Sequence, residues 1–184
     1  MSLSIATNDF LNQLTRDSSV AVVGNGNIED AGPEIDSCSY VFRFNDFQLD
    51  GFGGKVGTKT SAWVTSGYKT IEARPNFEEA LCPFAAYTIA AKYSRQFWPR
   101  TGTRLLFTRG NPHLDHFTSN CWEFPSTGFC FVALLQWMKF SDVRLFGFDG
   151  MSSGHYFNPG HGHRDHQKSR KVERGYYQIW GLVQ

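Results

Sequence analysis

Four apolar residues, Val20, Ala21, Val22 and Val23, run directly into Gly24-Asn-Gly-Asn27. Apolar, β-branched residues packed this densely belong in a strand covered on both faces, as in a parallel sheet. A Gly-Asn-Gly-Asn segment continues neither strand nor helix, so the chain must turn sharply where the strand ends. Beyond the carboxyl end of a parallel strand, that turn lies where open α/β sheets receive their ligands. Glycines let backbone N–H groups approach a phosphate or sugar, and asparagine amides supply donors and acceptors. Gly24, Asn25 and Gly26 are therefore candidate nucleotide-binding residues.

Downstream, strand-like and helix-like stretches alternate. The strand signals are Tyr40–Asn45, Ser61–Thr65, Thr103–Thr108 and Val143–Phe148. Helical spacing is expected within residues 4–18 and again from Phe77 to Phe97, where Pro83 interrupts it. Asn27–Cys38 is expected to be a turn and short helix broken near Gly32-Pro33, and Gly51–Gly57 a flexible loop. Thr127–Phe140 is almost continuously apolar and predicts a helix buried on most sides. A Gly- and His-rich loop, Ser152–His166, precedes a final helix over Gln167–Trp180. This order implies an α/β fold, a mostly parallel sheet with helices on both faces, in a single domain over residues 1–184.

Composition excludes several functions. A net charge of +1 offers no electrostatic case for nucleic acid or an acidic membrane surface. The 17 phenylalanines serve an aromatic core or the walls of a sugar or base site. Cys38, Cys82, Cys121 and Cys130 are scattered, as free thiols of a reducing compartment are. No run of 18 apolar residues occurs, and the N-terminus lacks the basic and apolar regions of a signal peptide. The expectation is a cytoplasmic protein, with the inner face of a membrane left open as its place of work.

The carboxyl ends of the expected strands collect Asn25, Asn45, Thr65 with Ser66, Arg109 with Asn111, and Asp149 into one polar ring. The Gly24-Asn-Gly26 turn lacks the third glycine of a dinucleotide fingerprint and the acidic residue that should follow, which disfavours a nicotinamide cofactor. Ser126 is a candidate N-cap for the buried helix, and the N–H groups after it form an anion-receiving helix terminus. His161-Gly-His163-Arg-Asp165-His166 spells a zinc-ligand spacing, H-x-H-x-D-H. In metallo-β-lactamase-like hydrolases that run lies early in the domain with further ligands after it. Here 18 residues follow, none of them His or Asp. A zinc-dependent hydrolase is thus the lesser alternative.

Taken in order, these segments resemble the sialyltransferases, both the animal-type and the bacterial families. Val20–Asn27, Ile35-Asp36, Tyr40–Asn45 and Val56–Thr60 are similar to the large sialyl motif. Pro125–Gly128 with its helix and Val143–Phe148 are similar to the small one, and His155-Tyr-Phe157 to the short His-Tyr-aromatic motif. The resemblance implies a Rossmann-like fold of the GT-A variant that needs no metal. Its donor would be a CMP-activated acidic sugar, sialic acid or Kdo, and its acceptor a glycan or glycolipid. It further implies that Asn25 and Asn45, with Thr65, contact the nucleotide, and that Tyr156 bonds the departing phosphate. Ser126, Thr127 and Gly128 would hold the sugar and its carboxylate. A tail histidine, in the order His163, His155, His161, would act as general base in an inverting displacement. The animal-type spacing of four residues between that His and a Glu is absent. His163 instead precedes Glu173 by ten positions. Known catalytic domains of the family are longer, so a relative that binds the ligand without turnover is the other alternative.

Overall fold

The protein was analysed as a computed structural model, which describes residues 14–45, 47–65, 87–90, 104–107, 126–150, 154–160 and 167–183, with the backbone alone at 65, 87–90, 104–107 and 167–169. Among the described residues, six parallel strands form one sheet in the order β5-β4-β3-β2-β1-β6. They are β1 (Ser19–Val23), β2 (Tyr40–Phe44), β3 (Ala62–Thr65), β4 (Tyr87–Ala90), β5 (Arg104–Phe107) and β6 (Asp142–Phe146). From β1 the chain steps outward through β5, then returns to the other side of β1 as β6. The order therefore reverses between β1 and β6, and a crevice is expected beyond the carboxyl ends of those two strands.

Side-chain alternation along the strands divides the core in two. Val20, Val22, Phe42, Phe44, Ala62 and Val64 face helices α3 (Thr127–Trp137) and α4 (Gln167–Ile179). Ala21, Val23 and Val41 face the other way, against Ile35 of α1 (Gly32–Ser37) and Val56 of α2 (Gly53–Val56). Helices thus cover both faces, as an α/β fold requires. In α3 every residue from Thr127 to Leu135 is buried, because the helix is wedged between the sheet and α4. Phe131 packs on Phe42 and Phe44, with ring centroids 4.8 and 5.9 Å away. A buried phenylalanine of this kind contributes about 1.5–3 kcal/mol.

Several local expectations are corrected. Part of the helix expected over Phe77–Phe97 is β4. Tyr87-Thr-Ile89 is aromatic and β-branched, and β4 pairs in register with both β3 and β5, which outweighs the flanking alanines. Gly32-Pro33 opens α1 instead of interrupting it, since proline is tolerated in a helix's first turn, where its missing N–H would have no partner. The Gly51–Gly57 loop contains the single turn of α2. Residues 15–18 form a turn, while the rest of the expected N-terminal helix, residues 4–13, lies outside the described residues.

On the second face, Arg43 of β2 is wholly buried. Its Nε–H donates to the Lys59 carbonyl and to Thr60 Oγ1, both at 3.0 Å, and Nη2 donates to the Val56 carbonyl at 2.8 Å. Burial lowers its pKa to about 10, so the guanidinium remains charged at neutral pH. The same segment is held from α1 by Asp36, whose carboxylate accepts from the N–H groups of Thr58 and Lys59 at 2.9 Å. Burial opposes the charge of Asp36, but these hydrogen bonds outweigh it and hold the carboxyl below its ordinary range. Together the two side chains fix the chain between β2 and β3.

Candidate functional site

A cleft of ≈ 200 Å³ opens where the strand order reverses. Its floor is the turn after β1 and the turn after β6. Gly24 N–H donates to the Phe146 carbonyl at 2.8 Å, and Gly26 N–H donates to the Gly147 carbonyl at 3.0 Å. A Cβ on Gly26 would stand 2.6 Å from both the Gly147 oxygen and Asp149 Oδ1. The two glycines thus allow one turn to lie against the other, and both of their N–H groups are consumed there. Presentation of those N–H groups to a ligand, the expectation from sequence, is not what the geometry provides.

Asn25, between them, keeps its free capacity. Its Nδ2 donates to the Phe44 carbonyl at 3.1 Å, while its buried Oδ1 accepts from no group among the described residues. A buried acceptor without a partner is costly, and a ligand hydroxyl or amine in the cleft would satisfy it. Asn45 also lines the cleft. It takes a left-handed conformation, φ 47°, that asparagine tolerates better than most residues. Its N–H continues the ladder to the Val64 carbonyl at 2.9 Å, and its carbonyl accepts from Trp63 Nε1 at 2.8 Å.

The N-terminus of α3 forms one wall. Ser126 is the N-cap, its backbone extended and its Oγ accepting from Phe129 N–H at 2.9 Å. Thr127 and Gly128 follow on the cleft surface. Gly128 leaves room for the Phe148 ring, which would lie 2.7 Å from a Cβ at that position. The facing wall is α4, which turns Arg170, Glu173, Arg174 and Tyr177 to the cleft at spacings of three and four residues, one helical face.

Glu173 ties the two walls together. Its Oε1 accepts from Ser126 N–H at 2.6 Å and its Oε2 from Ser126 Oγ–H at 2.8 Å. Arg170 Nη1 pairs with Oε1 from one turn back. Burial pushes the Glu173 carboxyl above its ordinary range even though Arg170 and Ser126 pull the other way. Burial and the charge of Glu173 likewise push the Tyr177 phenol well above its ordinary value, which leaves it protonated.

His155 lines the cleft with its ring 5.0 Å from that of Phe157. Tyr156 does not line it. Its N–H donates to the Asn25 carbonyl at 2.8 Å, and its hydroxyl accepts from Gln48 N–H at 2.8 Å and donates to Gln48 carbonyl oxygen at 2.5 Å. Tyr156 therefore buckles the 154–160 loop to the turns after β1 and β2, and its hydroxyl is engaged away from the expected phosphate. Of the expected polar ring, Asn25, Asn45 and Asp149 meet in the cleft. Thr65 is described by its backbone only, and Ser66, Arg109 and Asn111 lie outside the described residues, as do His161, His163 and the rest of the H-x-H-x-D-H run. Arg170, Arg174 and Tyr177 were missed as site residues. Their one sequence signal is the 170, 173, 174, 177 spacing, which becomes informative only once the helix is known to face the cleft.

The sequence model of glycosyltransferase family 29 (sialyltransferase) matches residues 8–99, half of the chain. The chain belongs to this family. A stretch of 61 residues, 32% of the chain, is 43% identical to α-N-acetylgalactosaminide α-2,6-sialyltransferase 1 of Gallus gallus, covering 11% of that protein. A stretch of 44 residues, 22% of the chain, is 54% identical to the human α-N-acetylgalactosaminide α-2,6-sialyltransferase 2, covering 12% of it. The chain thus matches about a tenth of the length of each of these curated relatives. Among solved structures, a mammalian sialyltransferase in complex with Gal-β-1-3GalNAc-ortho-nitrophenol superimposes with a TM-score of 0.61 at 20% identity, over 97% of this chain and 77% of that one. The sialyltransferase CstII from Campylobacter jejuni, in complex with the substrate analogue CMP-3FNeuAc, gives 0.54 at 15% identity over 90% and 80% of the two chains. These superpositions share the Rossmann-like α/β architecture with the present chain.

Proposed function

We propose that the cleft binds a CMP-activated acidic sugar, sialic acid before Kdo, and transfers the sugar to a glycan or glycolipid hydroxyl with inversion. The observation that carries this reading is the meeting, at one switch-point crevice, of the buried amide oxygen of Asn25, unpartnered among the described residues, and the N-terminus of α3. Family membership and the CMP-sugar analogue bound by the Campylobacter neighbour favour a cytidylate as the ligand. In this reading Asn25 Oδ1 accepts from the nucleotide, and Asn45 lies beside it. The N–H groups at the start of α3 receive the sugar's carboxylate, helped by the helix dipole.

The transfer needs a base for the acceptor hydroxyl. That oxygen bonds to the anomeric carbon while the carbon–oxygen bond to the phosphate breaks, and CMP departs with the electron pair. The hydroxyl proton passes to an imidazole. His163 remains the first choice, with His155 next because it lines the cleft, and His161 third. An imidazole with its ordinary pKa near neutrality suits the task.

The test is CMP release from CMP-sialic acid or CMP-Kdo in the presence of a Gal-β-1-3GalNAc glycoside, the compound found in complex with the mammalian neighbour. Release that depends on the acceptor, and falls by about 10²–10⁴ when the base is replaced by alanine, is the expected result. CMP binding with no release from either donor would favour the non-catalytic relative. Stoichiometric zinc with chelator-sensitive hydrolysis would favour the metal-dependent alternative.

A further inference from the structure

We infer that Glu173 is a positioning residue for the site, holding the first turn of α3 open toward the cleft and selecting which of its N–H groups meet the ligand; this rests on the reading of the cleft as the donor site. Ser126 has two protons to give, and both go to Glu173, one from its backbone N–H and one from its hydroxyl. The lone pair of the same hydroxyl takes the Phe129 N–H. Ser126 therefore has no donor left for a ligand anion. The donors of this helix terminus that remain to face the cleft belong to Thr127 and Gly128, so the ligand carboxylate is read one residue further along than the motif alone suggests.

Capping α3 does not require Glu173, because Ser126 already performs it. What Glu173 adds is a fixed separation between α3 and α4, the two walls of the cleft. It also adds a charge that cancels Arg170 within the protein. A buried carboxylate with two hydrogen-bond donors and a guanidinium on it is costly to disturb, since each partner would be left unsatisfied. The next residue, Arg174, is exposed on the same helix face, lines the cleft and has no acidic partner among the described residues. The neutralised pair thus positions, and among the described residues Arg174 is the arginine left to attract an anionic ligand.

Glu173→Gln keeps the length and an acceptor for Ser126 N–H, whereas Glu173→Asp keeps the charge but is one methylene too short to span both Ser126 protons. CMP affinity, read by calorimetry, should stay within about threefold of the parent in Glu173→Gln and fall about tenfold or more in Glu173→Asp, the size of effect that a small misplacement produces. Hydrogen exchange at the Ser126 amide, which Glu173 accepts, and at the Phe129 amide, which Ser126 Oγ accepts, should stay slow in the first variant and accelerate in the second. Parental affinity and exchange in Glu173→Asp, or an equal loss in both variants, would overturn the positioning role. If the parent protein itself does not bind CMP, the donor-site reading fails, and amide exchange alone still decides whether Glu173 sets the helix terminus.

Discussion

Asn25 and Phe44 are joined by a hydrogen bond of 3.1 Å from the amide Nδ2 to the main-chain oxygen, which links the turns after β1 and β2 and aims Asn25 Oδ1 away from β2. The amide orientation is thereby fixed: nitrogen toward the sheet, oxygen buried beside the cleft and without a partner among the described residues.

Replacement of Asn25 by alanine should weaken CMP binding by about 1–3 kcal/mol, the range for losing one buried polar contact. Titration calorimetry against cytidine and CMP checks this. Unchanged affinity for both would leave the amide a structural cross-link between two turns.

Gly26→Ala should destabilise the fold by about 1–3 kcal/mol, since the new methyl would press on the Gly147 oxygen and the Asp149 carboxylate. Urea denaturation measures it. A midpoint equal to the parent's would mean that the β1 and β6 turns separate at little cost.

Asp36 and Glu173 should move stability with pH in opposite directions. In the fold Asp36 has a pKa below its ordinary 3.8, so its contribution is complete above that value and is lost as pH falls through the folded value. Glu173 is raised above its ordinary 4.5, so between 4.5 and the raised value the folded state holds the proton more tightly and stability declines as pH rises. Unfolding midpoints followed across the acid range should lose the first slope in Asp36→Asn and the second in Glu173→Gln. Slopes that persist in these variants would assign the pH dependence elsewhere.

Arg174→Ala should lower CMP affinity about two- to fivefold, the small effect of one exposed charge, and the loss should shrink as salt is raised. Affinity for uncharged cytidine should not change. An equal loss for CMP and cytidine would mean that the arginine acts by packing and not by charge.

Much of the fold is legible in the sequence because β1, β2, β3 and β6 are dense apolar runs, and those at Val23 and Phe44 stop at residues that can only turn. α3 is equally plain, a helix apolar on nearly every side. β4 is hidden because Tyr87–Ala90 sits among alanines that favour a helix when read locally, and its pairing with β3 and β5 exists only in three dimensions. The glycine turn is correctly placed but its local chemistry is not, since sequence cannot tell that Phe146 and Gly147 take the Gly24 and Gly26 protons. Tyr156 similarly reads as a ligand residue until Gln48, 108 positions away, is found on its hydroxyl. The cleft-lining face of α4 escapes because amphipathic spacing gives no address for the polar side.

The return of the chain to place β6 beside β1 also has a consequence for biosynthesis. The floor of the cleft comes from residues 24–26 and 147–149, and its walls from the start of α3 and the polar face of α4, so neither the β1–β5 stretch nor the part that follows it forms this cleft alone. As the polypeptide leaves the ribosome, β1 and β2 can pair early, yet this cleft stays incomplete until α4 has been made and docked. A formed cleft is in this sense a report that α4 has been made and has docked. Any ligand of this cleft that is present during folding would favour chains in which the turn after β1 has met α4.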